Sequence, residues 1–575
     1  MGVESNVETS AVEAPPGFWE REASHYPKPL TPLGSSFVLD GINQAFPKVF
    51  EEFGLLVETL EFHEIGGYVY QRLKPFGAGD GSGRNLPPKF VLWLILRLHP
   101  AFRRRTARCK EAIRNRKDRT LVERWYDEWR PKLVTDIDRW RSVDLTALSD
   151  EELAGHLSEL RRWLFETWDI HFYLTPAYAF PLVRLALFCQ DQLGYDDQHM
   201  LALLSGLSKA SSEPALALAH LADQVRADGE LSEALLAATA DDVPGILASR
   251  NAGLAQRFEE YLHHYGCRAL RYELVEQCLN ERPELIAGLL QDQLRRPTDL
   301  ETEQERLKSA REEAKATALA ALQDEAQREE FLALLTDAER AYPVREDNEF
   351  YTVSVPLALA RFAVLEAGTR LAERGALADA DDIFFLRYEE AVGALQGEQT
   401  NYQELVTARR REFVAAEAVD PPASFGEEPP APPLDVLPPE ARLAMEALAY
   451  SVQRVFEPER SNRREEMGVR ELQGLGASKG SYSGPARIIM GEDQFNRLLP
   501  GDVLVCPITS PVWSILFAKV GALVTDSGGI LSHPAIIARE YGIPAVVATG
   551  NGTQIIEDGQ QLLVDGEAGL VRLVG

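Results

Sequence analysis

One histidine of this chain lies in a setting that suits phosphoryl transfer. His533 follows a glycine-rich segment, residues 525–532, and precedes Pro534 and a short apolar repeat at residues 535–538. Pro534 favours a helix start, because the amide it lacks would be unsatisfied there and its φ is preset. The helix N-terminus would then point free amides and its positive dipole end toward a phosphoryl group on the imidazole. A neutral imidazole nitrogen is a nucleophile near pH 7, so we interpret His533 as a phosphoryl carrier.

The residues around His533 support this interpretation, whereas the alternative is a histidine buried in a glycine-rich turn for packing alone. Glycines adopt backbone angles that are closed to other residues, so a phosphoryl donor could approach the main chain of this segment closely. The residues that we assign to phosphate contact or to the shape of the loop are Thr525, Gly528, Gly529, Ser532 and Arg539.

The sequence around this histidine predicts a small α/β domain. Short apolar runs bounded by Gly, Pro and Asp turn signals are typical of strands, and the segment after His533 supplies a helix. The predicted strands are at residues 486–490, 503–506, 522–525, 545–548 and 561–564.

Composition excludes several classes of protein. The chain has 575 residues, 45% of them hydrophobic, with no secretory leader and no apolar run that we judged long enough to cross a membrane. A formal charge of -29 argues against nucleic acid as a partner. Five cysteines without a CxxC pair favour a reducing compartment and argue against a structural zinc site. We therefore expect a cytoplasmic enzyme with neither a membrane nor a nucleic-acid partner.

Patterning along the chain divides it into four parts. Residues 1–16 are predicted to be a disordered tail, and amphipathic stretches make residues 17–419 a mainly α-helical body. Repeated prolines in residues 420–470 predict a semi-rigid hinge with a connector helix, although a surface loop over a fixed interface is the alternative. Residues 471–575 form the small α/β domain.

The carboxyl-terminal hundred residues resemble the swivelling phosphohistidine domain of the PEP-utilising enzymes, which include pyruvate phosphate dikinase, PEP synthase and rifampin phosphotransferase. The resemblance is carried by the His533 segment together with GLGAS at 474–478, TSP at 509–511 and YGIPAVV at 541–547. It implies that His533 takes a phosphoryl group from one active site and delivers it to another. Family members often have Ala after the histidine, where this chain has Pro534.

The helical body resembles the acceptor-substrate domain of rifampin phosphotransferases. The matching segments include PKPLTPL at 27–33, YGCR at 265–268 and REDNEFY at 345–351. In that family the arginine of the last segment is followed four positions later by a lysine, and both are implied in acceptor or phosphate handling. Here Arg345 is present, but Glu349 stands in the lysine position. An anion cannot neutralise a transferring phosphoryl group, which argues against a rifamycin as the acceptor.

Arg345 remains a candidate substrate-binding residue, since its guanidinium suits phosphate oxygens. The alternative, of equal weight, is a structural pair with Glu346 or Asp347. A second candidate cluster consists of His263, His264 and Arg268, and the alternative is a simple polar helix end.

The resemblance also implies an ATP-grasp domain that binds ATP and Mg²⁺ and phosphorylates the histidine, and we recognise no segment for one in this sequence. We therefore expect a phosphotransferase component that is charged by a separate ATP-grasp subunit, with ATP and Mg²⁺ bound by that partner, and that phosphorylates a hydroxyl of a small molecule. Two alternatives stay open. The pair could phosphorylate a metabolite and then eliminate phosphate, as a dehydratase, or the chain could be a non-catalytic phosphohistidine regulator or scaffold.

Overall fold

A computed structural model describes residues 13–78, 87–297, 299–398, 401–430, 433–456 and 471–574. Most of the predicted disordered tail and all of the charged connector at 457–470 lie outside the described residues. The described residues form a large helical body and a smaller carboxyl-terminal α/β domain.

The body is mainly α-helical, as the amphipathic stretches predicted. Its central helix, α6, has 39 residues and starts at a capping box in which Ser149 and Glu152 satisfy each other's backbone amides. Around α6 (Asp150–Phe188) lie α1 (Pro32–Glu52), α4 (Lys117–Arg124) and α16 (Val355–Glu373), and their apolar faces share one buried core. Helix α14 (Glu325–Ala341) packs on the other end of α6 in a second apolar cluster. The described residues form the following helices, of which the last two belong to the carboxyl-terminal domain: α1 (Pro32–Glu52), α2 (Lys89–Leu98), α3 (Pro100–Arg114), α4 (Lys117–Arg124), α5 (Arg130–Arg141), α6 (Asp150–Phe188), α7 (Asp197–Ala202), α8 (Lys209–Arg226), α9 (Gly229–Ala237), α10 (Val243–Arg250), α11 (Ala252–Tyr265), α12 (Pro283–Arg295), α13 (Leu300–Ala321), α14 (Glu325–Ala341), α15 (Val344–Glu349), α16 (Val355–Glu373), α17 (Tyr388–Leu395), α18 (Gln403–Glu417), α19 (Pro439–Phe456), α20 (His533–Glu540) and α21 (Gly552–Ile555).

Two helical stretches are long and apolar enough to cross a membrane, contrary to our judgement from the sequence. They are Asp150–Leu193 and Glu325–Glu373, and 67% and 72% of their most apolar windows are buried inside the protein. Such burial is typical of core helices in a large helical domain.

The body also contains a small antiparallel sheet that the sequence interpretation missed. Its strands are β1 (Trp19–Arg21), β2 (Val57–Ile65), β3 (Tyr68–Pro75) and β4 (Ser424–Phe425), in the order β2-β3-β1-β4. Gly66 and Gly67 join β2 to β3 with φ values of 61° and 88°. Positive φ at both central residues is the requirement of a tight hairpin turn, so this Gly-Gly pair was the available signal.

The described part of the predicted hinge is attached to the body. Strand β4 pairs with β1, and the Tyr70 hydroxyl donates a hydrogen bond to the Pro422 carbonyl at 2.7 Å. Helix α19 lies against α3 and α6. Within the described residues, this segment thus adds to the body as a strand and a helix.

The carboxyl-terminal domain is built on one sheet of eight strands. The four central strands β7, β8, β9 and β10 are parallel neighbours, and the outer pairings are antiparallel. All side chains of β8 and β9 are buried, which explains their uninterrupted apolar sequence. The strands are β5 (Glu471–Gln473), β6 (Leu475–Ser478), β7 (Ser481–Ile488), β8 (Val503–Cys506), β9 (Ala522–Thr525), β10 (Ala545–Val547), β11 (Gln561–Asp565) and β12 (Leu570–Leu573).

The α/β domain lies against the body through both apolar and polar contacts. One cluster of buried apolar side chains includes residues of α8, α11 and α12 together with residues of β8, β9 and α20. The carboxylate of Glu540 accepts hydrogen bonds from the amides of Gly206 and Ser208 at 3.1 and 3.0 Å. Ser510 donates to the Leu270 carbonyl at 2.9 Å. These contacts fix the carboxyl edge of the parallel strands over the body.

Candidate functional site

The loop after β9 places His533 at the carboxyl edge of the parallel strands, where α/β proteins commonly bind ligands. Gly528 has φ +103°, and a Cβ there would lie 2.9 Å from the Ser532 hydroxyl, so this position requires glycine. The Ser532 hydroxyl and amide both donate to the Gly529 carbonyl, at 2.6 and 2.9 Å. This closed turn makes His533 the first residue of α20, so the helix begins one residue before Pro534, which the sequence predicted as its start.

The two nitrogens of His533 have different environments. Nδ1 lies 2.8 Å from Oε2 of Glu346, a residue of α15 in the body. A carboxylate accepts, so Nδ1 carries the proton and the neutral ring keeps its lone pair on Nε2. Nε2 is buried and has no hydrogen-bond partner among the described residues. An oriented imidazole with a free Nε2 is the arrangement that a nucleophile or phosphoryl carrier needs.

His533 and Glu346 both line a cavity of about 1730 Å³ between the body and the α/β domain. Its walls are largely apolar and come mostly from the body. They include Phe46, Leu60, Phe62 and Phe172. An apolar pocket with a few convergent polar groups is typical of small-molecule sites.

The polar groups of this cavity carry both signs of charge. His25 Nδ1 lies 3.0 Å from Oε1 of Glu22. Burial disfavours the charged imidazole, but the charge and hydrogen bonds of Glu22 outweigh it and raise the pKa of His25. Burial lowers the pKa of His171 to about 3, so that this ring stays neutral. Of these two rings, His25 is therefore the one that favours the cationic form.

Glu349 lies in the same cavity wall as a partly buried carboxyl group. Burial raises its pKa, against the opposing effects of His25 and Tyr272, and Glu346 raises it further. Its Oε1 atom is buried and has no hydrogen-bond partner within the described ranges. Tyr272 forms a hydrogen bond with this carboxyl group, so it is the Oε1 atom that is open to a bound molecule.

Two further residues predicted from the sequence share this cavity with His533. Ser532 and Arg345 both line it. The structure shows neither of the pairs considered as alternatives for Arg345: Glu346 binds His533, and Asp347 lies 3.6 Å from Arg130. The Arg345 guanidinium has no ion pair within the part of the chain that the structure describes, which leaves it open to a ligand.

Other predicted residues shape the loop and the domain interface instead. Thr525 is fully buried, and its hydroxyl donates to the Ser527 carbonyl at 2.8 Å. Arg539 is buried and donates to the Ala477 carbonyl at 2.8 Å. Neither residue lines the cavity.

The second predicted cluster lies away from the cavity. Arg268 is buried with its guanidinium 4.3 Å from the ring centroid of Phe350, and His264 contacts Tyr265 edge-on. Neither Arg268 nor His264 lines the cavity that holds His533. The geometry therefore does not bring this pair to His533.

Sequence reasoning missed the carboxylates of α15 as site residues. Glu346 and Glu349 are three positions apart, a spacing that puts both on one face of a helix. That helix runs directly into a π-helical turn at Phe350–Ser354, a feature frequent at functional sites. The spacing of Glu346 and Glu349 is visible in the sequence. The contact between Glu346 and His533, however, joins residues 187 positions apart, so no local pattern indicates it.

Among the described residues, no group of three or more His, Cys, Asp or Glu side chains is placed to hold a metal ion.

Comparisons with known proteins confirm the resemblance found in the sequence. Residues 498–569 match the mobile domain of PEP-utilising enzymes, and residues 171–346 match the rifampicin phosphotransferase fourth domain. Both ends of the His533–Glu346 contact lie within these segments.

Three relatives illustrate the likeness. An uncharacterized phosphotransferase, YvkC, of Bacillus subtilis is 27% identical over 97% of this chain and 62% of its own length. Chondramide synthase cmdD of Chondromyces crocatus is 30% identical over 97% of this chain and 14% of its own length. A rifampicin phosphotransferase of Streptomyces sviceus is 30% identical over 64% of this chain and 40% of its own length. The chain thus spans less than two thirds of the length of each of these relatives.

Proposed function

We propose that this chain, which carries the mobile domain of the PEP-utilising enzymes, is a phosphotransferase component. His533 receives a phosphoryl group from a separate ATP-grasp subunit that binds ATP and Mg²⁺. It then delivers the group to a hydroxyl of a small molecule in the cavity of the helical body. The observation that carries this proposal is the free, buried Nε2 of His533 in the wall of a large cavity, with Nδ1 held by Glu346.

The contact between His533 and Glu346 suits delivery of the phosphoryl group. When Nε2 carries phosphate and Nδ1 keeps its proton, the ring is an imidazolium, which the Glu346 carboxylate stabilises. Breaking the Nε2–P bond then releases a neutral imidazole, a better leaving group than an imidazolate. Such transfer depends on positioning and on charge stabilisation.

Two cationic groups of the cavity suit the phosphoryl oxygens. The guanidinium of Arg345 and the imidazolium of His25 are both in the lining. Cations placed where charge concentrates lower the barrier most in a site that excludes water. We assign Arg345 the first role because its side chain has no ion pair among the described residues.

The cavity supports an acceptor with a substantial apolar body and one hydroxyl group. Its aromatic and aliphatic walls would hold such a body, while the hydroxyl reaches the polar end at His533.

We place the protein in the cytoplasm, since its five cysteines are buried and unpaired, as in a reducing compartment.

The test of this proposal detects the small-molecule product of the reaction and compares the wild-type chain with a variant that lacks His533. Wild-type chain and His533→Ala are incubated with ATP, Mg²⁺, host lysate as the source of the partner, and an organic extract of the host. A phosphorylated small molecule formed only with the wild type supports the proposal. An alkene together with free phosphate would replace it with the dehydratase alternative, and the same products from both chains would refute it.

A further inference from the structure

Three buried polar atoms around the cavity have no hydrogen-bond partner among the described residues. They are Nε2 of His533, Oε1 of Glu349 and the hydroxyl oxygen of Thr509. Leaving a buried donor or acceptor unsatisfied costs about 1–3 kcal/mol, so folded proteins keep few of them. Three in the wall of one cavity indicate that a bound molecule completes their hydrogen bonds.

The position of Glu349 follows from the helix that carries it. Glu346 and Glu349 are three residues apart on α15, and Glu346 holds His533. Residues at this spacing lie one above the other on the same helix face. Glu349 therefore faces the same end of the cavity, where its carboxyl group interacts electrostatically with His533.

We propose that Glu349 is the general base of the transfer, accepting the proton of the acceptor hydroxyl while the Thr509 hydroxyl donates to the moving phosphoryl group. This inference rests on the proposed function and deepens it. The anion that stands in the lysine position of rifampin phosphotransferases cannot neutralise phosphate, but it can take a proton.

The step balances in atoms and in charge. The Nε2–P bond of protonated phospho-His533 breaks, and its electron pair returns to Nε2, leaving a neutral ring with its proton on Nδ1. The acceptor oxygen forms a bond to phosphorus, and its proton passes to the Glu349 carboxylate. The products are a phosphate monoester, neutral His533 and protonated Glu349.

The surroundings of Glu349 suit this role. The groups that face it are His25, Tyr26 and Tyr272 from other elements, Glu346 from its own helix, and His533. Burial raises the pKa of Glu349, which makes its carboxylate a stronger base.

The test starts from protein charged chemically with phosphoramidate, so that it depends on neither ATP nor a partner. After removal of the reagent, release of inorganic phosphate to water is followed against pH, and the signal of His533→Ala is subtracted. Water is itself a hydroxyl acceptor. The phosphoramidate bond of free phosphohistidine is acid-labile, so base catalysis would appear as a rate that rises with pH.

We expect wild type to show this rising limb and Glu349→Gln to lose it, with a rate on the order of 100-fold lower. Glu349→Asp keeps a carboxylate and should retain the limb at a reduced rate, which also decides the question if the glutamine variant does not fold. Thr509→Val should slow release without changing the pH profile. Asp347→Asn, which removes a carboxylate of the same helix outside the cavity lining, should behave as wild type.

The proposal is overturned if Glu349→Gln releases phosphate at the wild-type rate with the same limb, or if wild type has no rising limb. The proposed function would be refuted separately, by a failure of ATP and lysate to phosphorylate His533. The two failures can be told apart because the phosphate-release assay starts from chemically charged protein and needs neither ATP nor lysate.

Discussion

Replacing Glu346 with glutamine should slow delivery of the phosphoryl group from His533. The carboxylate lies 2.8 Å from Nδ1 and stabilises the imidazolium that exists while Nε2 carries phosphate. An amide of the same size keeps the packing of α15 but removes the charge. The variant therefore separates the electrostatic role of Glu346 from its structural role.

The expected change in the rate of phosphate release follows from the contact between His533 and Glu346. A hydrogen bond to a charged group contributes about 1.5–3 kcal/mol. The exposed fractions are only 14% for the His533 side chain and 9% for Glu346, so water screens the pair little. A tenfold rate change corresponds to about 1.36 kcal/mol, which predicts release slower by about 10- to 150-fold.

The assay is phosphate release from chemically charged protein at one neutral pH, with Asp347→Asn as the matched control. Asp347 is the next residue on α15, is also buried, and pairs with Arg130 instead of His533. Release from Glu346→Gln at the wild-type rate would refute the reasoning. So would equal slowing of both variants, because it would indicate a general disturbance of α15.

Three further changes have defined outcomes. Arg345→Gln should slow phosphate release by about 10-fold or more, because a cation at the phosphoryl group is lost; an unchanged rate would exclude that contact. Burial raises the pKa of Glu540 from 4.5 to about 7, so the folded protein holds the proton of this carboxyl group more tightly than the unfolded chain does. The folded state therefore loses stability as pH rises between these two values. The free energy of unfolding, measured in urea at several pH values, should fall by up to about 3 kcal/mol more in wild type than in Glu540→Gln; equal slopes would contradict this. Gly528→Ala should lower the thermal midpoint more than Gly559→Ala. Both positions have positive φ, but only at Gly528 does a Cβ meet a neighbour, so equal shifts would argue against the collision with Ser532.

Local signals were sufficient to predict the loop before His533 and the strands of its domain. Apolar runs bounded by turn residues predicted the buried strands β8 and β9, and Pro534 predicted the start of α20. These features depend on residues that are neighbours in sequence. The hairpin of β2 and β3 was equally local, and it was missed because no strand was assigned in the mainly α-helical body, despite the Gly66-Gly67 turn.

The partners of His533 were beyond the reach of the same reasoning. Glu346 was considered as a partner of Arg345 because the two are adjacent, whereas the folded chain pairs it with a histidine 187 positions away. Arg268 and His264 were chosen for their residue types, but their directions from α11 and the following loop take them away from the cavity. Which polar side chains meet across two domains is decided by tertiary packing, and local patterns carry little information on it.

The central claim, that His533 is a phosphoryl carrier charged by a partner, is tested most directly by its phosphorylation state. Wild type and His533→Ala are incubated with ATP and Mg²⁺, with and without host lysate, and intact mass is used to detect acid-labile, base-stable phosphate. We predict label in wild type only, and only with lysate present. Label without lysate would mean that this chain itself binds the nucleotide, and label on His533→Ala, or none in any sample, would contradict the account.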